Sequence, residues 1–182
     1  LIEVLAGGGQ EFLVDEVYRE AIGQRVVQPF QHMQRGWIDL HCHSVHMSHA
    51  ALRLSLELLL QAAVANSLPA RPPRKRGDDP VDPDTLRSFR AYASFIASKS
   101  TAQIQAQIQA PIKAPGQGAI AERPRDLILI VGKGIKLQEA VTSFLAENVN
   151  PPLHAHVSKV NAGRLVVPAR YVEAWVMVHR AD

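Results

Sequence analysis

The sequence predicts a small two-layer α/β sandwich, preceded by a helical hairpin and interrupted by a long insertion. Three observations carry this reading. Two short apolar runs, "GWIDLH" at 36–41 and "DLILIV" at 126–131, each end in a turn that leads into a helical pattern. The stretch between them, 68–125, is rich in proline and glutamine. Beyond the second run the chain alternates as two more strands and closes on an amphipathic helix, so the order without the insertion is strand, helix, strand, helix, strand, strand, helix.

Each element has a local reason. Within residues 1–30, "LIEVLAGGG" reads as the end of a helix closed by glycines. "QEFLVDEVYREAIGQ" then places Leu13, Val14, Val17, Tyr18, Ala21 and Ile22 at a helical period. Such a hairpin cannot bury its apolar face alone, which is how the terminal repeat of a solenoid looks. The second unit, from 36 to 182, begins with a strand in which Trp37, Asp39 and His41 alternate with Ile38 and Leu40. Ser44 then caps a helix over about 45–65, because its hydroxyl can accept from an orphan amide of the first turn. The stretch 68–125 reads as a low-complexity, basic and partly disordered insertion. Inside it, "DPDTLRSFRAYASFIAS" could form a short helix capped by Asp82 or Asp84, whereas "TAQIQAQIQAPIKAPGQG" has no packing period. "DLILIV" is continuous and apolar, as a buried parallel strand should be, and a helix follows over about 137–148. Asn150, Pro151 and Pro152 break the chain, "LHAHVSK" and "RLVV" flank the turn "NAG", and Pro168 opens the last helix, which carries Val172, Trp175 and Val176.

Composition bounds the function classes. With 182 residues, 47% hydrophobic and 20% charged, the chain can build one sizeable core. The most apolar stretch, 52–65, is broken by Arg53, Glu57 and Gln61, so a membrane partner is not expected. Leu1 is not followed by a leader pattern, so the N-terminus names no compartment. Cys42 is the lone cysteine: it has no disulfide partner within the chain and suits a reducing compartment. The net charge of +3 comes from the middle, where 68–125 holds 10 basic and 5 acidic side chains, including "RPPRKRG" at 71–77. A run of that kind attracts phosphates or simply stays solvated.

Two motifs carry chemistry. "IDLHCHSVHMSHA", at 38–50, packs four histidines, a cysteine and an aspartate into thirteen positions. A metal site is not expected from it: His41 and His43 fall at a strand end, His46 and His49 on the next helix, where they read as solvent-exposed, and no second ligand cluster exists. Asp39 and His41 stand apart, since both leave one strand face just before a helix start, where ligands of α/β domains gather. An aspartate there can orient an imidazole or hold a cation; it can also merely cap a backbone amide. "VGKG", at 131–134, repeats the geometry: Gly132 and Gly134 let backbone amides approach a phosphate, and Lys133 and Lys136 add charge. It lacks the longer glycine-framed loop of a P-loop. Adjacent parallel strands would bring both turns to one edge.

At these turns the sequence resembles a known family. "IDLHCHSVHMSHAAL" is similar to the Leu-Asp-x-His-Gly motif and following helix of the Smr domain, and "LILIVGKG" to its second motif, His-Gly-x-Gly or Thr-Gly-x-Gly. "NAGRLVVPARYVEAWV" resembles the Asn-x-Gly-Arg-Phe and Val-x-x-Trp tail of plant-type pentatricopeptide repeat proteins that end in an Smr domain, and residues 1–27 resemble a large part of such a repeat. The resemblance implies a fold like the C-terminal domain of bacterial initiation factor three. It also implies RNA as partner, with DNA as an alternative, and an organelle as compartment, chloroplast ahead of mitochondrion. Carried over by position, it makes Asp39 and His41 the catalytic pair of an endoribonuclease in RNA processing, a hydrolase with a divalent cation such as Mg as candidate cofactor. Gly132, Lys133, Gly134, Lys136 and Arg164 become the nucleic-acid contacts. Two positions depart: Cys42 stands for the glycine, and Val131 for the histidine or threonine. The second departure keeps open a non-catalytic module that binds RNA or protein; a DNA-nicking endonuclease is the third reading.

Overall fold

Residues 1–66, 82–97 and 120–180 are described by a computed structural model. In chain order the elements are α1 (Ile2–Gly7), α2 (Glu11–Gly23), a 3-10 turn (Met33–Arg35), β1 (Trp37–Asp39), α3 (Val45–Ala65), α4 (Pro83–Ala97), β2 (Leu127–Ile130), α5 (Ile135–Glu147), β3 (His156–Val157), β4 (Arg164–Val167) and α6 (Ala169–Arg180). The fold is a small α/β one around a single mixed sheet of order β1-β2-β4-β3, parallel between β1 and β2 and antiparallel elsewhere.

Strand register decides which face is core. Ile38 pairs with Leu129 and Leu129 with Leu165, while Leu127 pairs with Val167. These five join one buried cluster with the helices. Their neighbours Trp37, Ile128 and Val166 point the other way and stay outside it, as the two-residue period of a strand requires.

Helix α3 is the spine of the helical layer. Ser44 caps it, with Oγ accepting from the Met47 amide at 3.3 Å, and it runs over the span the sequence predicts. Ala51, Leu52, Leu59 and Ala62 are almost completely buried. One flank of α3 receives the N-terminal hairpin: Val14, Tyr18 and Ile22 of α2 belong to the same core cluster. Arg53 of α3 binds Asp15 through Nε and Nη2 at 2.6 to 3.0 Å, and Arg19 meets Glu57 at 2.8 Å. The Val14, Tyr18 and Ile22 stripe of the hairpin is therefore covered from within this chain, while Phe12 and Leu13 stay exposed.

On its other flank α3 packs against α4, the short helix that the sequence offers within 68–125. Phe89, Tyr92, Ala93 and Ile96 form a stripe at helical spacing, each 1% exposed or less. Asp82 caps the helix, its Oδ1 accepting from the amides of Asp84 and Thr85 at 3.0 and 3.1 Å. The basic run at 71–77 and the glutamine-isoleucine stretch at 101–118 lie outside the described residues. Two boundaries shift: α5 starts at Ile135, directly after Gly134, and the strand expected across "LHAHVSK" shrinks to His156–Val157. Among the described residues no helix is long and apolar enough to cross a membrane.

A buried joint ties α4 to the sheet. Tyr92 Oη donates to the Arg125 carbonyl at 3.1 Å. The next residue, Asp126, is 4% exposed and accepts from the amides of Arg123 and Ala169, so it fastens the start of β2 to the start of α6. Gly36 sits against this joint at φ +74°, and an added Cβ would lie 2.5 Å from the Tyr92 ring and 3.0 Å from the Asp126 carbonyl. Gly36→Ala is expected to lose about 1–2 kcal/mol to the left-handed backbone alone, and more through displacement of Tyr92. Urea unfolding of the variant beside wild type measures it; an unchanged midpoint would show that the joint relaxes freely.

Candidate functional site

The two turns singled out in the sequence meet because β1 and β2 lie side by side and run the same way. Asp39 pairs with Ile130, the last residue of β2, and one step on the Leu40 amide donates to the Ile130 carbonyl at 2.7 Å. Both chains then leave the same end of the sheet, one into α3 and the other into α5. That end is the C-terminal edge of the parallel pair, where helix N-termini gather.

On the first turn, His41 lies just past the end of β1 and folds back on Asp39. Its Nδ1 is 2.5 Å from Asp39 Oδ1, and its backbone amide donates to the same oxygen at 3.2 Å. A carboxylate can only accept, so Nδ1 carries a proton, and in the neutral ring Nε2 is the nitrogen with the lone pair. The imidazole is 56% exposed and the carboxylate 37%, so Nε2 is accessible from solvent.

The second turn is built by backbone. Gly132 sits at φ +73°, a left-handed conformation that favours glycine. The amides of Val131 and Gly132 both donate to the Gly163 carbonyl at 3.0 Å, which adds a third loop, Asn161–Ala162–Gly163, to the rim. A Cβ on Gly163 would fall 3.3 Å from the Gly132 carbonyl carbon. Gln138, one turn into α5, donates to the carbonyls of Gly132 at 2.9 Å and Ala162 at 2.8 Å, and so staples the two loops. The sequence holds no local sign of Gln138's role, because its partners lie six and 24 residues away. Lys133 and Lys136 are exposed beside Gly134, which caps α5 without a side chain. Val131, at the position where a polar group would face the rim, is 3% exposed and belongs to the core.

Arg164 is placed differently from the lysines. Its guanidinium lies 4.7 Å from the centre of the Trp37 ring and 3.3 Å from Glu122, so its charge already has an intramolecular partner. Of His46 and His49, which the sequence places on an exposed helix start, His46 keeps a 44% exposed side chain whereas His49 is partly covered. His49 stacks on Phe144 with ring centres 4.6 Å apart. His43 sits under the first turn with Nε2 2.5 Å from Tyr18 Oη. His46 is 3.7 Å from Glu3. Burial pushes the His43 pKa down, and the nearby Asp39 charge only partly offsets it; burial lowers that of His49 too.

Among the described residues no group of three His, Cys, Asp or Glu converges on one point. Cys42 is exposed and free. Asp39 would offer a divalent cation one carboxylate, already bonded twice through Oδ1. The side chains present do not make the cation's site, so no step is assigned to it. A groove of about 660 Å³ adjoins the rim, running from Ile135 and Gln138 along α5 to Glu147, with His156 and Val157 opposite. Glu139 and Glu147 line it, so its charge disfavours an anion there.

No family model matches the chain, and no curated protein or solved structure matches it.

Three imidazoles, His43, His49 and His156, have pKa values lowered chiefly by burial. Above imidazole's ordinary value near 6.5 both folded and unfolded rings are neutral. As pH falls the unfolded rings take up protons first, so stability present at pH above this value declines through a window that opens near 6.5 and ends at the depressed folded values. Urea midpoints are expected to fall below about pH 6.5, with a shallower slope in the doubly substituted His49→Gln, His156→Gln chain. A flat profile in wild type would mean that the rings titrate normally.

Proposed function

We propose that this chain is an RNA-interacting Smr-type domain of an organellar pentatricopeptide repeat protein, with endoribonuclease activity. The observation that carries the reading is the parallel pairing of β1 and β2, which sets an accessible, carboxylate-oriented imidazole beside a glycine turn and two exposed lysines. In this reading His41 Nε2 takes the proton of a ribose 2′-hydroxyl, the oxygen attacks the adjacent phosphorus, and the 5′-oxygen departs with a proton returned from the imidazolium or from water. Asp39 holds the ring in the tautomer that leaves Nε2 basic and stabilises the cation once formed. Backbone amides of Lys133 and Gly134, with the Lys133 and Lys136 side chains, draw the phosphate and its developing charge, whereas the Gly132 amide already donates to the Gly163 carbonyl.

A second reading, a non-catalytic module that binds RNA or protein, is favoured by Val131, a buried apolar side chain where the resembled motif has a histidine or threonine. The basic run at 71–77 would then supply salt-sensitive, sequence-independent affinity.

The two readings part in one assay. Removing a positioned base costs about 100- to 10,000-fold in rate, so His41→Ala should cut a structured, end-labelled RNA that much more slowly while its affinity stays within about twofold of wild type. Asp39→Asn should fall in the same direction by a smaller factor. Equal cutting by wild type and His41→Ala excludes the mechanism. Binding that weakens steeply with salt and yields no product in either protein establishes the second reading. Nicking of supercoiled plasmid, lost in His41→Ala, would move the substrate from RNA to DNA.

A further inference from the structure

The turn that carries His41 is held from two sides, and one of the holds comes from outside the α/β unit. Its entry is fixed by the Leu40 amide on Ile130 and by Asp39 itself. Its exit is His43, whose amide donates to the Leu40 carbonyl at 3.0 Å and closes the turn with His41 and Cys42 at its tip. His43 in turn is gripped by α2: Tyr18 Oη lies 2.5 Å from Nε2, and the two rings meet edge-on at 5.6 Å. Tyr18 is fully buried in the core that joins α2 to α3, so its hydroxyl is a fixed point rather than a mobile contact. A second tether from the hairpin lands one residue on, where Ser44 Oγ donates to Glu3 of α1.

We propose that Tyr18 is a positioning residue for the Asp39–His41 pair, acting through His43, so that docking of the N-terminal hairpin sets the geometry of the rim. The proposal rests on the reading of Asp39 and His41 as the reactive pair. The chemistry of the link is specific. Burial raises the Tyr18 pKa, so the phenol stays protonated and its O–H needs an acceptor. His43 Nε2 is the acceptor within reach, which puts the His43 proton on Nδ1, a buried atom with no hydrogen-bond partner. His43 is thus held neutral, in one tautomer and one ring orientation, two residues from His41. Without the Tyr18 hydroxyl that orientation has no remaining polar anchor, and the ring can turn to satisfy Nδ1 at the expense of the turn. The charged and titratable groups that face His43 are Asp39, His41 and Tyr18.

The test uses Tyr18→Phe, which keeps the ring and removes the bond, with nitrogen-15-labelled histidine observed by two-bond proton–nitrogen spectra. In wild type, His43 is expected as the single Nδ1–H tautomer, and His41 as an Nδ1–H held by Asp39. In Tyr18→Phe, His43 should become a tautomer mixture, the His41 Nδ1 resonance should shift or broaden, and kcat for RNA cleavage should fall about ten- to a hundredfold with little change in KM. His43→Gln, whose amide oxygen can still accept from Tyr18, should keep the His41 signal near wild type, whereas His43→Phe should reproduce Tyr18→Phe. An unmoved His41 signal in Tyr18→Phe overturns the proposal, as does equal behaviour of His43→Gln and His43→Phe. If wild type cuts no RNA, the catalytic reading fails, and the spectra alone decide whether Tyr18 positions His41.

Discussion

The pairing of β1 with β2 is the constraint on which the remaining structure depends. These strands are separated by almost ninety residues of chain, and a parallel pair cannot be closed by a tight turn, so the crossover must travel over one face of the sheet. Helices α3 and α4 are that crossover. Because Ile38, Leu127 and Leu129 must face it, the register is fixed by packing: a slip of one residue would turn Trp37 and Ile128 toward the helices and carry the core set to the opposite face. The same register brings the turns after Asp39 and Ile130 to one edge. Core packing and the rim are therefore set by a single choice of pairing.

The helical layer shows why the hairpin is more than an appendage. Helix α3 is too apolar to be covered by the sheet and α4 alone, and Val14, Tyr18 and Ile22 close its remaining flank. Polar contacts then choose the orientation within that apolar joint. The Arg53–Asp15 pair is shielded on both sides and made through two guanidinium nitrogens, which gives it more directional weight than an exposed ion pair. Both hairpin helices also reach the start of α3, through Tyr18 to His43 and through Glu3 to Ser44. Movement of the hairpin must therefore strain the turn between β1 and α3.

What could be read from sequence was what depends on neighbours along the chain. Ser44 ahead of a leucine- and alanine-rich run located α3 at both ends, and the continuous apolar run at 127–130 marked a buried strand. The stripe of Phe89, Tyr92, Ala93 and Ile96 was also legible, but proline and glutamine on either side gave the whole of 68–125 the look of an insertion, so α4 was assigned too little. The strand at 156–157 was overextended because alternation in "LHAHVSK" persists beyond the two residues that pair. At the site, Asp39, His41 and the glycine turn followed from local pattern. The contacts that qualify them did not: Arg164 with Glu122 spans 42 residues, Tyr18 with His43 spans 25, and Gln138 with Ala162 spans 24. Long-range polar contacts leave no periodicity in a single sequence, and only the folded chain reveals which charges are already paired.

The pairing of Arg164 and the burial of Val131 together limit what chemistry the rim can do. Strand cleavage at phosphorus needs a base for the attacking hydroxyl, an acid for the departing oxygen, and compensation for charge on the phosphate. The second turn offers backbone amides and exposed lysines for the charge, but Val131, which leads into it, is turned into the core. His43 cannot supply the acid, since burial keeps it neutral and its Nε2 is bound to Tyr18. His41 is thus the only imaginable two-way proton carrier among the turn's imidazoles. A single ring that must first accept and then return a proton forgoes the simultaneous push and pull of a base–acid pair, each member of which contributes about two to four orders of magnitude. Phosphate attraction at the rim requires no such proton transfer. On the function proposed above, the rim would therefore hold RNA more readily than cut it, and the turn between β1 and α3 would limit the rate.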